Sequence, residues 1–134
     1  MASDSLQTAR ESFGRCALVK NFFTDFYETF FASNPEIPQI FAKTDMRKQQ
    51  DLLREGISFL LLYGAANENG KLAIERIGQL HDKSHVNVKP DMYRFWVQSL
   101  LETIEKHDPR YSPEVRAAWE EVIAKTINRF TELY

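Results

Sequence analysis

The sequence predicts an all-α fold, and three observations support this. Apolar residues recur at spacings of three and four in almost every segment, which is the period of a helix with one buried face. No long stretch alternates apolar and polar residues as a half-buried strand does. Gly, Pro and Asn stand where the helical pattern breaks. We expect one domain over residues 1–134, with about seven helices, because a chain of 134 residues is of ordinary single-domain size.

Composition and charge argue against a protein that binds nucleic acid or spans a membrane. Hydrophobic residues make up 43% and charged residues 27%, and the net charge of −2 is spread along the chain. No basic face for nucleic acid is therefore expected. The N-terminus lacks the apolar core of a signal peptide, and the longest apolar run, residues 57–63, is too short to span a bilayer. We expect a soluble, cytoplasmic protein that does not bind membranes.

The first two helices are separated by a weak break. Ser3 or Asp4 supplies an N-cap for the first helix, which Gly14 is expected to weaken. The apolar and aromatic residues of 18–31 then form a second helix. The single cysteine, Cys16, falls near the start of that helix in this interpretation and is expected to be a small core residue.

The next helices are bounded by proline, asparagine and glycine. Residues 34–35, Asn-Pro, end the second helix, and the proline can begin a short helix that ends near Phe41. Residues 44–45, Thr-Asp, open a helix that runs to about residue 66. The sequence Asn-Glu-Asn-Gly at 67–70 is expected to end it.

Three segments complete the chain. A helix runs from Leu72 to about residue 81 or 84, followed by a polar, irregular stretch over 82–89. Pro90 begins an aromatic-rich helix that ends around 107–109, so His107 is expected to be a surface residue at a helix end. Glu102, Glu105 and Lys106 fit a solvated helix face. Ser-Pro-Glu at 112–114 is a strong start for the last helix.

One stretch is more specific than its helical pattern. Residues 26–35 read Phe-Tyr-Glu-Thr-Phe-Phe-Ala-Ser-Asn-Pro and are followed by Phe41, which resembles the second and third helices of bacterial single-domain globins and of the globin part of flavohaemoglobins. The similarity covers essentially the whole chain. It continues through Thr44-Asp45-Met46, Gln49, Leu53, Leu80-His81, Pro90, Tyr93, Trp96 and Ala118-Trp119.

The resemblance implies a globin fold and a haem b cofactor (iron protoporphyrin IX). A single cysteine excludes covalent attachment through a CxxCH motif. Haem needs an apolar slot and one axial nitrogen. The resemblance assigns the slot to Phe41, Leu53, Ile57, Ile77, Leu80, Val88, Tyr93, Trp96 and Leu100. The alternative is that these are simply core residues of a helical domain.

His81 is the predicted axial ligand, and His85 is the alternative. The spacing to Tyr93 is twelve residues from His81 and eight from His85, and neither is the common globin spacing. His81 follows Ile77 and Leu80 on the expected inward face. The resemblance favours it because some bacterial relatives carry a longer stretch that begins Leu-His here, and because His85 lies deeper in the polar run, where the helix is expected to have ended. The second ring nitrogen is expected to donate to a backbone carbonyl. Two histidines four residues apart also fit a zinc pair, but no third ligand is evident nearby.

Tyr27 and Gln49 are the predicted distal residues, because a phenol and an amide can both donate hydrogen bonds to a bound gas. Tyr27 could instead be a buried tyrosine that bonds to backbone, and Gln49 a solvated helix residue. Gln50 takes the distal place if the helix is out of phase by one residue.

The resemblance therefore predicts reversible binding of dioxygen, nitric oxide and carbon monoxide for storage, scavenging or sensing. One alternative is a nitric oxide dioxygenase that works with a separate reductase, since no flavin or nicotinamide domain is seen in the sequence. The glutamate that flavohaemoglobins couple to the proximal histidine has no clear counterpart, which argues against peroxidase-like chemistry. Another alternative is a haem-free module that binds a fatty acid or serves in signalling. Exposed aromatic residues on the last two helices would permit a homodimer.

Overall fold

A computed structural model describes residues 2–82, 84 and 88–134 of the chain, with side chains from residue 4 onward. The alternative ligand His85 lies outside the described residues. The all-α prediction is confirmed, and no strand occurs in the described part. The helices are α1 (Ala2–Ala17), α2 (Phe22–Ser33), α3 (Ile37–Ile40), α4 (Met46–Gly64), α5 (Glu68–Leu80), α6 (Tyr93–His107) and α7 (Pro113–Leu133), with a 3-10 turn at Pro90–Met92 before α6.

Side-chain caps explain where three of the helices begin. The Asp45 carboxylate accepts hydrogen bonds from two backbone N–H groups in the first turn of α4. Ser112 accepts from the N–H of Val115 and precedes Pro113, which loses no helical hydrogen bond at that position. Asn67 accepts from the N–H of residue 70 and so begins α5. The sequence interpretation of 67–70 as a helix end was therefore wrong.

The boundary between α1 and α2 also differs from the prediction. α1 continues through Gly14 to Ala17, and Leu18 lies in the following turn with 88% of its surface exposed. Cys16 belongs to the end of α1, where it is completely buried. A helical glycine costs only about 1 kcal/mol. That cost is small beside burial of the α1 face that carries Ala9, Ser12 and Cys16.

The helices pack around one connected hydrophobic core. α1 packs chiefly against α7, α4 against α5, and α2 against α6, while α7 also contacts α4 and α5. No described helix is long and apolar enough to cross a lipid bilayer. The largest side chains in the core that are fully or almost fully buried are Trp119, Phe22, Phe26, Ile37, Ile57, Ile74, Leu100, Ile104 and Ile123.

Two helical glycines should respond in opposite ways to alanine. A Cβ at Gly70 would lie 2.7 Å from the backbone nitrogen of Tyr63 and 2.6 Å from the Cβ of Leu62, so α4 and α5 would have to separate. A Cβ at Gly56 would meet nothing within 4 Å. We expect Gly70→Ala to lower the free energy of unfolding by about 1–3 kcal/mol. Gly56→Ala should raise it by roughly 0.5–1 kcal/mol.

Urea unfolding followed by circular dichroism measures both changes. Because the substitution is the same in both variants, they control for each other. Equal effects of the two substitutions would contradict the close approach of α4 and α5 at Gly70.

Candidate functional site

Tyr27 and Gln49 form a reciprocal pair that joins α2 to α4. Tyr27 is 5% exposed. The Gln49 Nε2 amide donates a hydrogen bond to the Tyr27 hydroxyl oxygen at 3.1 Å, and the Tyr27 hydroxyl donates to the backbone carbonyl of Gln49 at 3.4 Å. The structure thus shows the tyrosine bonded to backbone. Because the hydroxyl has a single hydrogen, the role of distal donor requires that hydrogen to turn from the Gln49 carbonyl towards the gas.

The protonation state of Tyr27 follows from its surroundings. Burial raises the pKa of the phenol to about 12, although the Gln49 hydrogen bond acts in the opposite direction. The hydroxyl therefore keeps its proton across the physiological pH range and remains able to donate.

The phase of α4 decides between Gln49 and Gln50. The Gln50 amide is directed to the hydroxyl of Thr24 at 3.4 Å, on the exposed side of α2. Gln49 is the residue that meets Tyr27. The predicted phase of α4 is therefore the one in the structure.

Aromatic rings from neighbouring helices lie around Tyr27 on α2. The ring centroid of Phe41, at the C-terminal end of α3, lies 6.0 Å from that of Tyr27 and 5.5 Å from that of Phe31. Trp96 of α6 lies 5.9 Å from Phe26, one residue before Tyr27. α2, α3 and α6 thus contribute to a continuous group of aromatic rings.

The predicted slot residues differ in burial. Leu53, Ile57, Tyr93 and Leu100 are buried in the core. The remaining slot residues apart from Leu80 are partly buried and pack against the core, and these are Phe41, Ile77, Val88 and Trp96.

Leu80 does not point to the core and is 46% exposed. The inward face of α5 carries Ile74, Ile77, Gly78 and His81, and successive residues of a helix are rotated by about 100°. Leu80 is therefore roughly 120° away from the buried Ile74. Its predicted place on the inward face was wrong, because Ile74, Ile77 and Leu80 are spaced by three, and each step of three residues shifts the side chain by about 60° around the helix.

His81 caps the C-terminus of α5 and is fixed by its backbone. Its N–H donates to the carbonyl groups of Ile77 and Gly78, and its own carbonyl accepts from the N–H of Val88 at 2.9 Å. The imidazole is partly buried, and its ring centroid lies 5.7 Å from that of Phe130 with an angle of 81° between the planes. This places the ring in the space between α5 and the end of α7.

The surroundings of the His81 imidazole disfavour its charged form, and one ring nitrogen lacks a partner among the described residues. Burial lowers the pKa of His81, which favours the uncharged ring that metal coordination requires. Nδ1 is enclosed and has no hydrogen-bond partner among the described residues. Within the described residues, Nδ1 does not make the hydrogen bond predicted between a ring nitrogen and a backbone carbonyl. A buried polar atom left unpaired costs about 1–3 kcal/mol.

These residues fit a haem. An aromatic and aliphatic group of side chains, a neutral imidazole with an unsatisfied nitrogen, and a phenol bonded to an amide are the kinds of groups that a haem slot requires. In the described part of the chain, no three His, Cys, Asp or Glu side chains form a group suited to a metal ion.

His107 is more than a surface residue at a helix end, and this corrects the sequence interpretation. Its side chain is only 14% exposed, and its Nε2 lies 2.6 Å from a carboxylate oxygen of Asp25. Lys106 also reaches Asp25, at 3.2 Å. Because α2 packs against α6, this cluster stabilises the helix pair that carries Tyr27 and Trp96. Pairing across helices is invisible in a single sequence.

Phe130 is a site residue that sequence reasoning missed. It follows the buried face of α7 at the helical spacing that includes Val122, Ile123 and Thr126, so its burial is predictable. Its contact with His81 is not, since 49 positions separate the two residues.

Two depressions in the described surface lie away from these residues. One has a volume of about 490 Å³, opens widely to solvent and is lined by polar residues of α2 together with Glu102. The other, about 320 Å³, lies between α1 and α4 and is lined by Phe13, Leu61, Leu62 and neighbours. Neither includes a predicted haem-slot residue, so the site is defined by its side chains and not by either depression.

Comparison with known proteins agrees with this arrangement. The model of the Globin family matches residues 24–130. The structure is similar to the crystal structure of protein PA3967 from Pseudomonas aeruginosa PAO1, described as structurally highly homologous to a human hemoglobin, with a TM-score of 0.92 and 34% sequence identity. That match covers 97% of this chain and 98% of the other. The helices, their packing and both comparisons show that this chain belongs to the globin family.

Proposed function

We propose that this protein is a haem globin that reversibly binds dioxygen and related diatomic gases, with His81 as the axial ligand and Tyr27 and Gln49 as distal donors. The globin family implies a haem cofactor and gas ligands such as dioxygen. The observation that carries the proposal for this chain is the hydrogen-bonded pair of Tyr27 and Gln49.

The distal pair has the properties that a gas site needs. A bound haem supplies a ferrous iron that takes up diatomic gases. Tyr27 keeps its proton because its pKa is raised, and Gln49 can hold the phenol in place or itself donate. In a site that excludes water, such donors stabilise the partial negative charge of a bound gas more strongly than they would in solvent. This supports tight binding with slow release.

The proximal side supports a neutral imidazole ligand. Burial is the cause of the lowered His81 pKa, and no described carboxylate forms a hydrogen bond with its Nδ1. A carboxylate partner would raise the basicity of the ligand. Without one, the arrangement favours reversible binding over peroxidase-like chemistry.

Titration of the purified protein with haem tests the proposal. We expect a Soret band that saturates at one haem per chain, and a ferrous form that binds dioxygen and releases it under vacuum with the deoxy spectrum restored. Carbon monoxide and nitric oxide should give distinct, saturable spectra. A protein that takes up no haem, or whose ferrous form is oxidised by dioxygen without a reversible complex, would refute the proposal.

The same preparation examines the enzymatic alternative. Rapid consumption of nitric oxide by the oxygenated protein, with nitrate formed and turnover sustained by an added reductase, would favour the nitric oxide dioxygenase. The need for a reductase, the possible homodimer and the cytoplasmic location stay predictions.

Removing the Tyr27 hydroxyl should accelerate dioxygen release. Tyr27→Phe deletes a donor but keeps the ring and its contacts with Phe41. A hydrogen bond lost from a dry site costs about 1–3 kcal/mol, so we expect the dissociation rate to rise roughly 5- to 150-fold. Stopped-flow displacement of dioxygen by carbon monoxide measures this rate.

Tyr63→Phe, on α4, is the matched control and should leave the dissociation rate unchanged. An unaltered rate in Tyr27→Phe would mean that the phenol does not contact the gas. The distal assignment would then pass to Gln49 alone.

A further inference from the structure

We propose that Phe130 is a positioning residue that sets the orientation of the His81 imidazole, and that Gly78 provides the space in which it does so. This inference rests on the proposed function, because its consequence is felt through His81 as the axial ligand. Phe130 would touch neither the gas nor the metal, and would act only through the histidine.

The backbone of His81 is restrained more firmly than its ring. The backbone of His81 is fixed on both sides, by its N–H to Ile77 and Gly78 and by its carbonyl to Val88. The ring has no comparable restraint, since Nδ1 has no hydrogen-bond partner among the described residues. Histidines that bind metals are usually oriented by a hydrogen bond from the second ring nitrogen to a carboxylate, carbonyl or water. Among the described residues, packing is the contact seen to act on the ring.

Phe130 supplies the packing contact. Its ring lies nearly perpendicular to the imidazole, at 81°, with 5.7 Å between the centroids. Perpendicular contacts of this kind are attractive and directional, because the positive edge of one ring meets the negative face of the other. Rotation of the imidazole about its bond to Cβ would lose this arrangement.

Phe130 is itself held in place. Its side chain is 8% exposed, and its ring lies 5.7 Å from that of Tyr93, at the start of α6. It thus stands between His81 on α5 and Tyr93 on α6. A residue restrained on two sides can transmit a defined orientation to a third, which a flexible side chain cannot.

Gly78 makes the contact possible. It lies one turn before His81 on the same face of α5, and a Cβ at this position would stand 3.0 Å from Cδ1 of Phe130 and 2.6 Å from Cδ1 of Leu133. A side chain at this position would displace the end of the Leu133 side chain and crowd the Phe130 ring. The absence of a side chain at position 78 is therefore matched to the presence of a ring at position 130.

The test uses haem-loaded protein and compares Phe130→Leu and Gly78→Ala with Phe23→Leu. Phe23 is a matched control because it is 6% exposed, is also a core phenylalanine, and lies on α2. Two readouts follow the imidazole itself: the iron–histidine stretching band of the ferrous form by resonance Raman, and the haem-methyl NMR shifts of the cyanide-bound ferric form. Those shifts depend on the angle of the imidazole plane.

We expect Phe130→Leu to broaden or split the stretching band and to change the pattern of haem-methyl shifts. Gly78→Ala should alter both readouts in the same direction but less, because only a small displacement of Phe130 is needed to relieve the contact. It also provides a second route should Phe130→Leu fold poorly. Phe23→Leu should leave both readouts as in the wild type.

Three results would overturn the inference while haem binding survives. The first is an unchanged band and shift pattern in Phe130→Leu. The second is an equal change in Phe23→Leu, which would reduce Phe130 to an ordinary core residue. A stretching band that persists in His81→Ala would place the ligand elsewhere and overturn the inference as well. Failure of the proposed function is seen separately, as a wild-type protein with no Soret band.

Discussion

Replacing His81 with alanine is expected to abolish the iron–histidine stretching band of the ferrous protein and to weaken haem retention at least tenfold. Loss of a group that merely orients a metal ligand typically costs 10- to 100-fold in affinity, and loss of the ligand itself should cost no less. The aromatic and aliphatic contacts of the slot would remain, so some haem should still bind through burial of its apolar surface. Transfer of haem to an excess of apomyoglobin measures retention.

His85→Ala is the decisive comparison, because the spacing to Tyr93 alone does not distinguish the two histidines. We expect it to retain the wild-type spectrum and the stretching band. His107→Ala serves as a control for loss of a histidine that bonds to Asp25 instead of a cofactor. An unchanged spectrum in His81→Ala together with a lost band in His85→Ala would transfer the ligand to His85.

The second large effect should come from Asp108, far from the proposed ligand. Its side chain is fully buried and accepts hydrogen bonds from the Ser12 hydroxyl at 2.6 Å and from Arg15 at 2.6 and 2.9 Å. It also accepts from the backbone N–H of Arg110. These contacts tie α1 to the turn between α6 and α7.

We expect Asp108→Ala to lower the free energy of unfolding by about 3–5 kcal/mol, because removing one partner of a buried ion pair leaves the other groups without compensation. Urea unfolding at pH 7 measures the change. Asp51→Ala, at an exposed position of α4, should change the free energy of unfolding by less than about 0.5 kcal/mol. A loss below about 1 kcal/mol in Asp108→Ala would show that the hydrogen bonds and ion pair of Asp108 contribute little to the free energy of unfolding.

The lowered pKa of Asp108 predicts how the stability of the fold depends on pH. Burial raises the pKa of the carboxyl, but the hydrogen bonds from Arg15, Ser12 and the N–H of Arg110 outweigh it and lower the pKa to about 2. Because the pKa is lower in the folded state, ionised Asp108 adds to the free energy of unfolding above the unfolded pKa of about 4. This contribution is lost as the pH falls towards 2. We expect roughly 2 kcal/mol of stability to disappear over this interval in the wild type, and Asp108→Ala to lack that part of the dependence.

Several features were predictable because they depend on neighbours along the chain. The helical period, the caps at Asp45 and Ser112 and the proline at position 113 all act within one or two turns. Gln49 was paired with Tyr27 through the resemblance to the globins, with Gln50 as the alternative, and the structure shows Gln49 at the Tyr27 hydroxyl.

The three wrong expectations from the sequence share a cause. The sequence interpretation gave Leu80 an inward position, placed Cys16 at the start of α2 and left His107 on the surface. Each judgement used a local signal: apolar residues spaced by three, a helical glycine or a helix end. In each case, packing against another helix outweighed the local preference. Cys16 lies in α1, on the helix that packs against α7, and His107 is enclosed where α6 meets α2.

By itself, the sequence determined the helical class, most of the helix boundaries and the order of residues that resembles the globins, because periodicity and capping are properties of contiguous residues. Only the tertiary structure decided that the Tyr27 hydroxyl meets Gln49, that Asp108 binds Arg15 and that Phe130 stands against His81. The partners in each of these contacts lie on elements far apart in the chain. Their distances depend on how whole helices pack, and no local pattern encodes that.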